Sequence, residues 1–162
     1  MNLAERIFND MKTAMKNKDK QSLAAIRLIK GALQKKRIEL RSSKKDTDKR
    51  PLESETEMTD EEVLGVLTKM VKQIKDTIDE YESVGRTDKA EQEKTELKTI
   101  ETYLPEQMSI DEIKKIVDDA IHTTGAASMK DMGSVMGIVT GKTKGRADGK
   151  LIADLVKEKL NS

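Results

Sequence analysis

Apolar residues recur every three or four positions along most of this chain, the spacing of one face of an α-helix. Leu3, Ile7, Met11 and Met15 form the first such stripe. Asp19 can cap a second helix running to about Arg41, with Leu23, Ile26, Ile29 and Leu33 on its apolar face. Residues 42 to 57, SSKKDTDKRPLESETE, have no period and almost no apolar content, so a loop or a disordered insertion is expected there. Thr59-Asp60-Glu61-Glu62 then matches a capping box, in which the first side chain and the fourth satisfy each other's backbone N–H groups. A long third helix follows through Val63, Leu67, Met70, Ile74, Ile78 and Tyr81, with Gly85 as its stop. A fourth starts near Asp88, carries Ala90, Leu97, Ile100 and Leu104, and ends at Pro105.

The period resumes after "YLPEQ" at 103 to 107. Ser109-Ile110-Asp111-Glu112 is a second capping box, and Ile113, Ile116, Val117, Ala120 and Ile121 continue one face up to Gly125. Ser128 can cap the next helix, with Met129, Met132, Val135, Met136 and Val139 turned inward. Asp148 can cap the last, which bears Leu151, Ile152, Leu155, Val156 and Leu160. The pattern predicts an all-α protein. A bundle of about four helices would occupy residues 1–105, and a small three-helix unit residues 106–162.

Composition sharpens this. Among 162 residues, 38% are charged and 2% aromatic, and only two are proline, so modest helical bundles built from aliphatic residues and nine methionines are expected. There is no cysteine, which removes disulfides and thiolate metal sites. The N-terminus lacks the apolar core of a signal peptide, and no apolar run approaches a membrane span, so a cytoplasmic protein is expected. Net charge is only +1 but is unevenly spread. Lys16 to Arg50 holds 13 Lys/Arg against four Asp/Glu, whereas Asp76 to Glu101 holds four against nine. Arg27, Lys30, Lys35, Lys36 and Arg37 could add to a phosphate-attracting surface, or serve only as solvated helix faces.

The segment "MGIVTGKTKGRADGK", residues 136 to 150, is the densest candidate chemistry. Gly141-Lys142-Thr143 copies the end of a phosphate-binding P-loop, but the position where that loop needs its first glycine is Met136, and the segment follows a helical run rather than a strand. Gly133, Gly137 and Gly141 share one helix face. Each costs about 0.5–1 kcal/mol relative to alanine, so close packing of another helix on that face is expected. Lys142, Lys144, Arg146 and Lys150 surround the helix start at Asp148, and Gly145 and Gly149 let backbone approach a ligand. Those residues together read as a weak binder of phosphate or carboxylate. His122 is the one histidine, Asp118-Asp119 and Glu61-Glu62 read as surface acids, and Ser128 as a cap. No nucleophile–base pair and no metal-ligand spacing is present in the sequence, so neither cofactor nor metal is expected.

Residues 128 to 160, SMKDMGSVMGIVTGKTKGRADGKLIADLVKEKL, resemble the C-terminal motif of the YqeY family. RTDKAEQEKTELKTIETYLPEQMSIDEI and DMKTAMKNKDKQSLAAIRLIKGAL extend the resemblance over nearly the whole chain apart from residues 42 to 57. That family is similar to the tail domain of GatB, a subunit of tRNA-dependent amidotransferases, in which the tail helps hold tRNA at its elbow. The resemblance implies two helical subdomains and a stand-alone module for tRNA or other structured RNA. The basic loop, residues Lys142, Lys144, Gly145, Arg146, Asp148, Gly149 and Lys150, is its expected contact. The amidotransferase's catalytic parts have no counterpart here, so carbon–nitrogen ligase activity with glutamine as amide donor is not expected of the isolated chain. A helical adaptor that binds protein through the glycine- and methionine-rich helix face is the alternative. The absence of aromatic residues near the basic loop argues against stacking of single-stranded bases and favours folded RNA read by shape.

Overall fold

The computed structural model describes residues 1–43 and 54–162. The chain is all-α: the described residues form seven α-helices and two short 3₁₀ turns, with no strand. They divide into two compact units, Met1–Leu104 and Pro105–Ser162.

The first unit contains α1 (Leu3–Lys16), α2 (Lys20–Ser43), α3 (Asp60–Ser83) and α4 (Thr87–Glu101). Its helix starts are chemically specified. Asn2 and Glu5 close a capping box on α1, and Thr59 and Glu62 close the one expected on α3. Asp19 accepts from the Ser22 N–H at 3.1 Å at the start of α2. The Ser22 hydroxyl and that N–H hold the Asp19 carboxyl below its ordinary range.

Ile7, Ile29, Leu33, Leu67 and Ile100 are fully buried in one cluster. Each such aliphatic side chain contributes roughly 1.5–3 kcal/mol by leaving water. The first stripe is corrected in detail. Ala4 and Ala14 are buried beside Ile7, whereas Met15 is 49% exposed. Leu3 and Met11 pack at the edge of the cluster, so the contact line centres on Ile7 and takes in the two small side chains beside the row of large ones.

The expected loop at residues 42 to 57 is corrected at both ends. Helix α2 runs on to Ser43, and Ser54 caps a 3₁₀ turn at Glu55–Glu57. Residues 44–53 lie outside the described residues. Polar ties fix the returning chain. Asn2 donates to the Thr56 carbonyl at 2.7 Å, and Arg37 Nε lies 3.3 Å from Glu55 Oε1. Met58 is buried to 1% exposure, an anchor that supplies what the polar run before it lacks.

The second unit contains α5 (Ile110–Thr124), a 3₁₀ turn at Met129–Asp131, α6 (Met132–Thr143) and α7 (Gly149–Leu160). Ile113, Val117, Val135, Val139, Ile152 and Val156 form its core. Ser109 and Glu112 close the expected capping box on α5, and Gly125 ends it in the left-handed region at φ +65°. Ser128 caps the 3₁₀ turn rather than α6 itself, so Met129, expected inward, is 40% exposed. No helix among the described residues is long and apolar enough to cross a membrane.

Candidate nucleic-acid interface

Helix α6 stops at Thr143, whose buried hydroxyl donates to the Val139 carbonyl at 2.8 Å. Gly145 then adopts φ +67°, a conformation a side chain would strain, and turns the chain so that the Arg146 N–H reaches the Thr143 carbonyl at 2.7 Å. Asp148 starts α7 by accepting from the Lys150 N–H at 3.3 Å, as its position before an apolar-periodic run implies.

Three longer-range hydrogen bonds hold the loop from outside. The Met108 N–H donates to the Arg146 carbonyl at 2.8 Å. Gln107 Nε2 donates to the Gly145 carbonyl at 2.9 Å. Arg146 Nε donates to the Glu106 carbonyl at 2.9 Å. Residues 106 to 108 therefore lie along the basic loop and fix its backbone. Glu112 is held below its ordinary range chiefly by the backbone and hydroxyl of Ser109, with a smaller contribution from the Arg146 charge.

This geometry sorts the sequence-derived residues. Lys142, Lys144 and Lys150 are exposed, and Arg146 and Asp148 are half-buried. Arg146 commits one donor to the protein's own backbone, and Asp148 commits its carboxylate to a cap. The participation of Glu106, Gln107 and Met108 was not read from the sequence. Two of their three bonds use backbone groups, which carry no residue signature, and only the amide of Gln107 is a chemical cue.

The glycine face is corrected. A Cβ placed at Gly133, Gly137 or Gly141 would meet nothing within 4 Å. Among the described residues no helix packs there, and the three glycines form an exposed face of α6 in the unit that carries the basic loop. Val135 and Val139 on the opposite face make the core contact instead.

The other basic cluster is in the first unit, along α2. Arg27, Lys30 and Lys35 are exposed there. Lys30 Nζ stands 5.9 Å from the Phe8 ring centre, Lys36 pairs with Glu39 at 3.6 Å, and Arg37 pairs with Glu55. Several of those cations thus serve the bundle. His122 is exposed at the end of α5, and Asp118 pairs with Lys159 at 3.1 Å. Among the described residues no group of three or more His, Cys, Asp or Glu is arranged to hold a metal ion.

The family described as "Yqey-like protein" matches residues 4–160. Two relatives share the name "Altered inheritance of mitochondria protein 41, mitochondrial". The one from Vanderwaltozyma polyspora is 30% identical over 130 residues, covering 76% of this chain and 63% of its own length. The one from Pyrenophora tritici-repentis is 27% identical over 156 residues, covering 94% of this chain and 78% of its own length. This chain therefore spans less than two thirds of the first relative. Both relatives are named as mitochondrial, and this overturns the expectation of a cytoplasmic protein.

Proposed function

Because the chain belongs to the YqeY-like protein family, we propose that it is a non-catalytic module that binds structured RNA, with tRNA the first candidate, through the loop between α6 and α7. The observation that carries this reading is the fixed backbone of that loop. Three hydrogen bonds from residues 106 to 108 hold it, while Lys142, Lys144 and Lys150 stand at the surface around it. A loop fixed in advance loses little entropy when it meets a phosphate backbone.

Within the proposal each residue has a distinct part. Lys142, Lys144 and Lys150 supply positive charge to phosphates. Arg146 and Gly145 set the loop's shape, Asp148 starts α7, and Gly149 keeps that start free of side-chain bulk. The exposed glycines of α6 offer a surface to which a nucleic-acid backbone can come close. Resemblance to the GatB tail supports tRNA as the RNA to try first and links the module to amidotransferase function without assigning it the chemistry. The names of the two relatives support a mitochondrial setting.

The test is tRNA binding by fluorescence anisotropy over a salt series. Each phosphate contact contributes about 0.9 to the slope of log affinity against log salt on duplex nucleic acid. Changing Lys142, Lys144 and Lys150 together to alanine should flatten the slope by roughly two to three units and weaken different tRNAs alike. Unchanged affinity and slope in that variant would overturn the reading.

A further inference from the structure

The first unit carries a surface feature that RNA binding by the second does not use. Two adjoining hollows, of about 390 and 430 Å³, run along α2 and α3 toward α4 and share Ala32, Met70 and Gln73 as walls. Their apolar lining is Leu28, Ala32, Val66, Met70 and Ile74. Leu28 remains 48% exposed and adjoins the other apolar residues of the lining, so the apolar surface here is continuous and open. Gly65 forms part of one wall, and a Cβ there would meet nothing within 4 Å, so the groove is open at that point. Along α2 the lining reaches from Leu28 to Glu39, eleven steps of the helix, or roughly 16 Å at the helical rise. That length suits about three turns of another helix.

The two ends differ in charge. Lys35, Lys36 and Lys69 line one end together with Glu39 and Glu62. Both acids are already engaged, Glu39 with Lys36 at 3.6 Å and Glu62 with the Thr59 N–H at 2.9 Å. Lys35 and Lys69 have no ion pair among the described residues, and the three lysines outnumber the two acids, so this end carries one net positive charge. Glu93 and Glu96, one helical turn apart on α4, line the other end. Neither has an ion pair among the described residues, and burial, with the charge of Glu93, pushes the Glu96 carboxyl above its ordinary range. An arriving cation would relieve that pair.

We propose that this groove docks an amphipathic helix of a partner protein, acidic at the end meeting Lys35 and Lys69, basic at the end meeting Glu93 and Glu96, with an apolar stripe seated over Val66 and Met70. Helix-in-groove recognition needs apolar anchors at i, i+3/4 and i+7, and the flexible thioether of Met70 can adjust to them. The opposed charges fix the direction in which the helix lies. A nucleic-acid backbone does not suit the site, because its phosphates would face Glu93 and Glu96. A second copy presenting the same groove would set two concave faces against each other and fill neither.

The experiment selects binders of the full-length chain from a displayed library of randomised peptides about 16 residues long, enough to hold a helix when docked. Enriched sequences should carry an apolar helical stripe with Asp/Glu at one end and Lys/Arg at the other. A selected peptide should then bind Gly65→Leu at least roughly tenfold more weakly, because the new side chain fills the groove. Replacing an exposed helical glycine removes a poor helix former, so this variant should fold, as circular dichroism would verify. Lys35→Glu with Lys69→Glu should weaken the same peptide and favour its charge-reversed counterpart. The proposal fails if nothing is enriched, if the enriched peptides lack the charge pattern, or if they bind both variants as tightly as the parent. It fails equally if Gly65→Leu abolishes a dimer seen by sedimentation, since the occupant would then be a second copy. It also fails if the lysine changes abolish tRNA binding while peptide binding is absent.

Discussion

Arg146 Nε donates to the backbone carbonyl of Glu106 across 2.9 Å, joining the basic loop to a residue forty positions earlier. One of the four cations that the sequence offers as phosphate contacts is thus a structural tie. Arg146→Ala should lower the stability of the second unit by about 1 kcal/mol, read as a lower urea midpoint. Lysine at the same position lacks the planar fork and should restore little of it. Lys142→Ala and Lys150→Ala should stay within about 0.5 kcal/mol of the parent, because those side chains are exposed. Equal losses in all three variants would remove the distinction between tie and contact.

The open face of α6 has a stability consequence. Gly137→Ala places a methyl group where nothing lies within 4 Å, so it should stabilise the protein by roughly 0.5–1 kcal/mol. Gly125→Ala should destabilise by roughly 1–2 kcal/mol, because that residue sits at φ +65°. Thermal unfolding of the pair checks both signs. If Gly137→Ala also weakens tRNA binding while stabilising the fold, the glycine is serving close approach.

Tyr103 and Asp10 set an alkaline limit. The phenol donates to Asp10 Oδ2 at 2.9 Å, and Arg6 lies 5.3 Å from its ring centre. Burial first, then the hydrogen bond to Asp10, push the phenol well above its ordinary value of 10.0. The folded state therefore keeps this proton when the unfolded chain has lost it. The resulting stability is present below pH 10 and declines as pH rises from there toward the folded value. Tyr103→Phe should flatten stability against pH in that range and cost about 1 kcal/mol at neutral pH.

An acid limit follows from Ser109 and Glu112. Glu112 Oε2 accepts from the Ser109 N–H at 2.8 Å, and the Ser109 hydroxyl accepts from the Glu112 N–H at 3.2 Å. The Glu112 carboxyl titrates below its ordinary 4.5, so its contribution is present above that pH and is lost as pH falls through the lower, folded value. Glu112→Gln should flatten the acid limb of the stability profile, and Ser109→Ala should cost about 1 kcal/mol at neutral pH through the lost cap.

The helices were legible because their signals are local. Thr59, Ser109 and Asp148 cap where their spacing from the apolar runs implies, and Gly125 ends α5 as expected. The errors came from tertiary contact. Met15 and Met129 continue their stripes by period, yet they remain 49% and 40% exposed among the described residues. The glycines of α6 share a face, but sequence gives the face and not its occupant. For the basic loop, the charged residues were visible in order. The strap from Glu106 to Met108 was not, because a backbone carbonyl is the same in every residue. Localisation was beyond reach for a different reason: a delivery address is read by a receptor, and the chain's helical period says nothing of it.

That strap also fixes when the basic loop acquires its shape. Its side-chain bonds close over sequence separations of 38 and 40 residues, so they require α5 and α6 to fold back and bring their partners together. A synthetic peptide of residues 136 to 150 would carry every lysine of the loop and still lack the partners that shape it. Partly folded chains would present the same charges without the same arrangement.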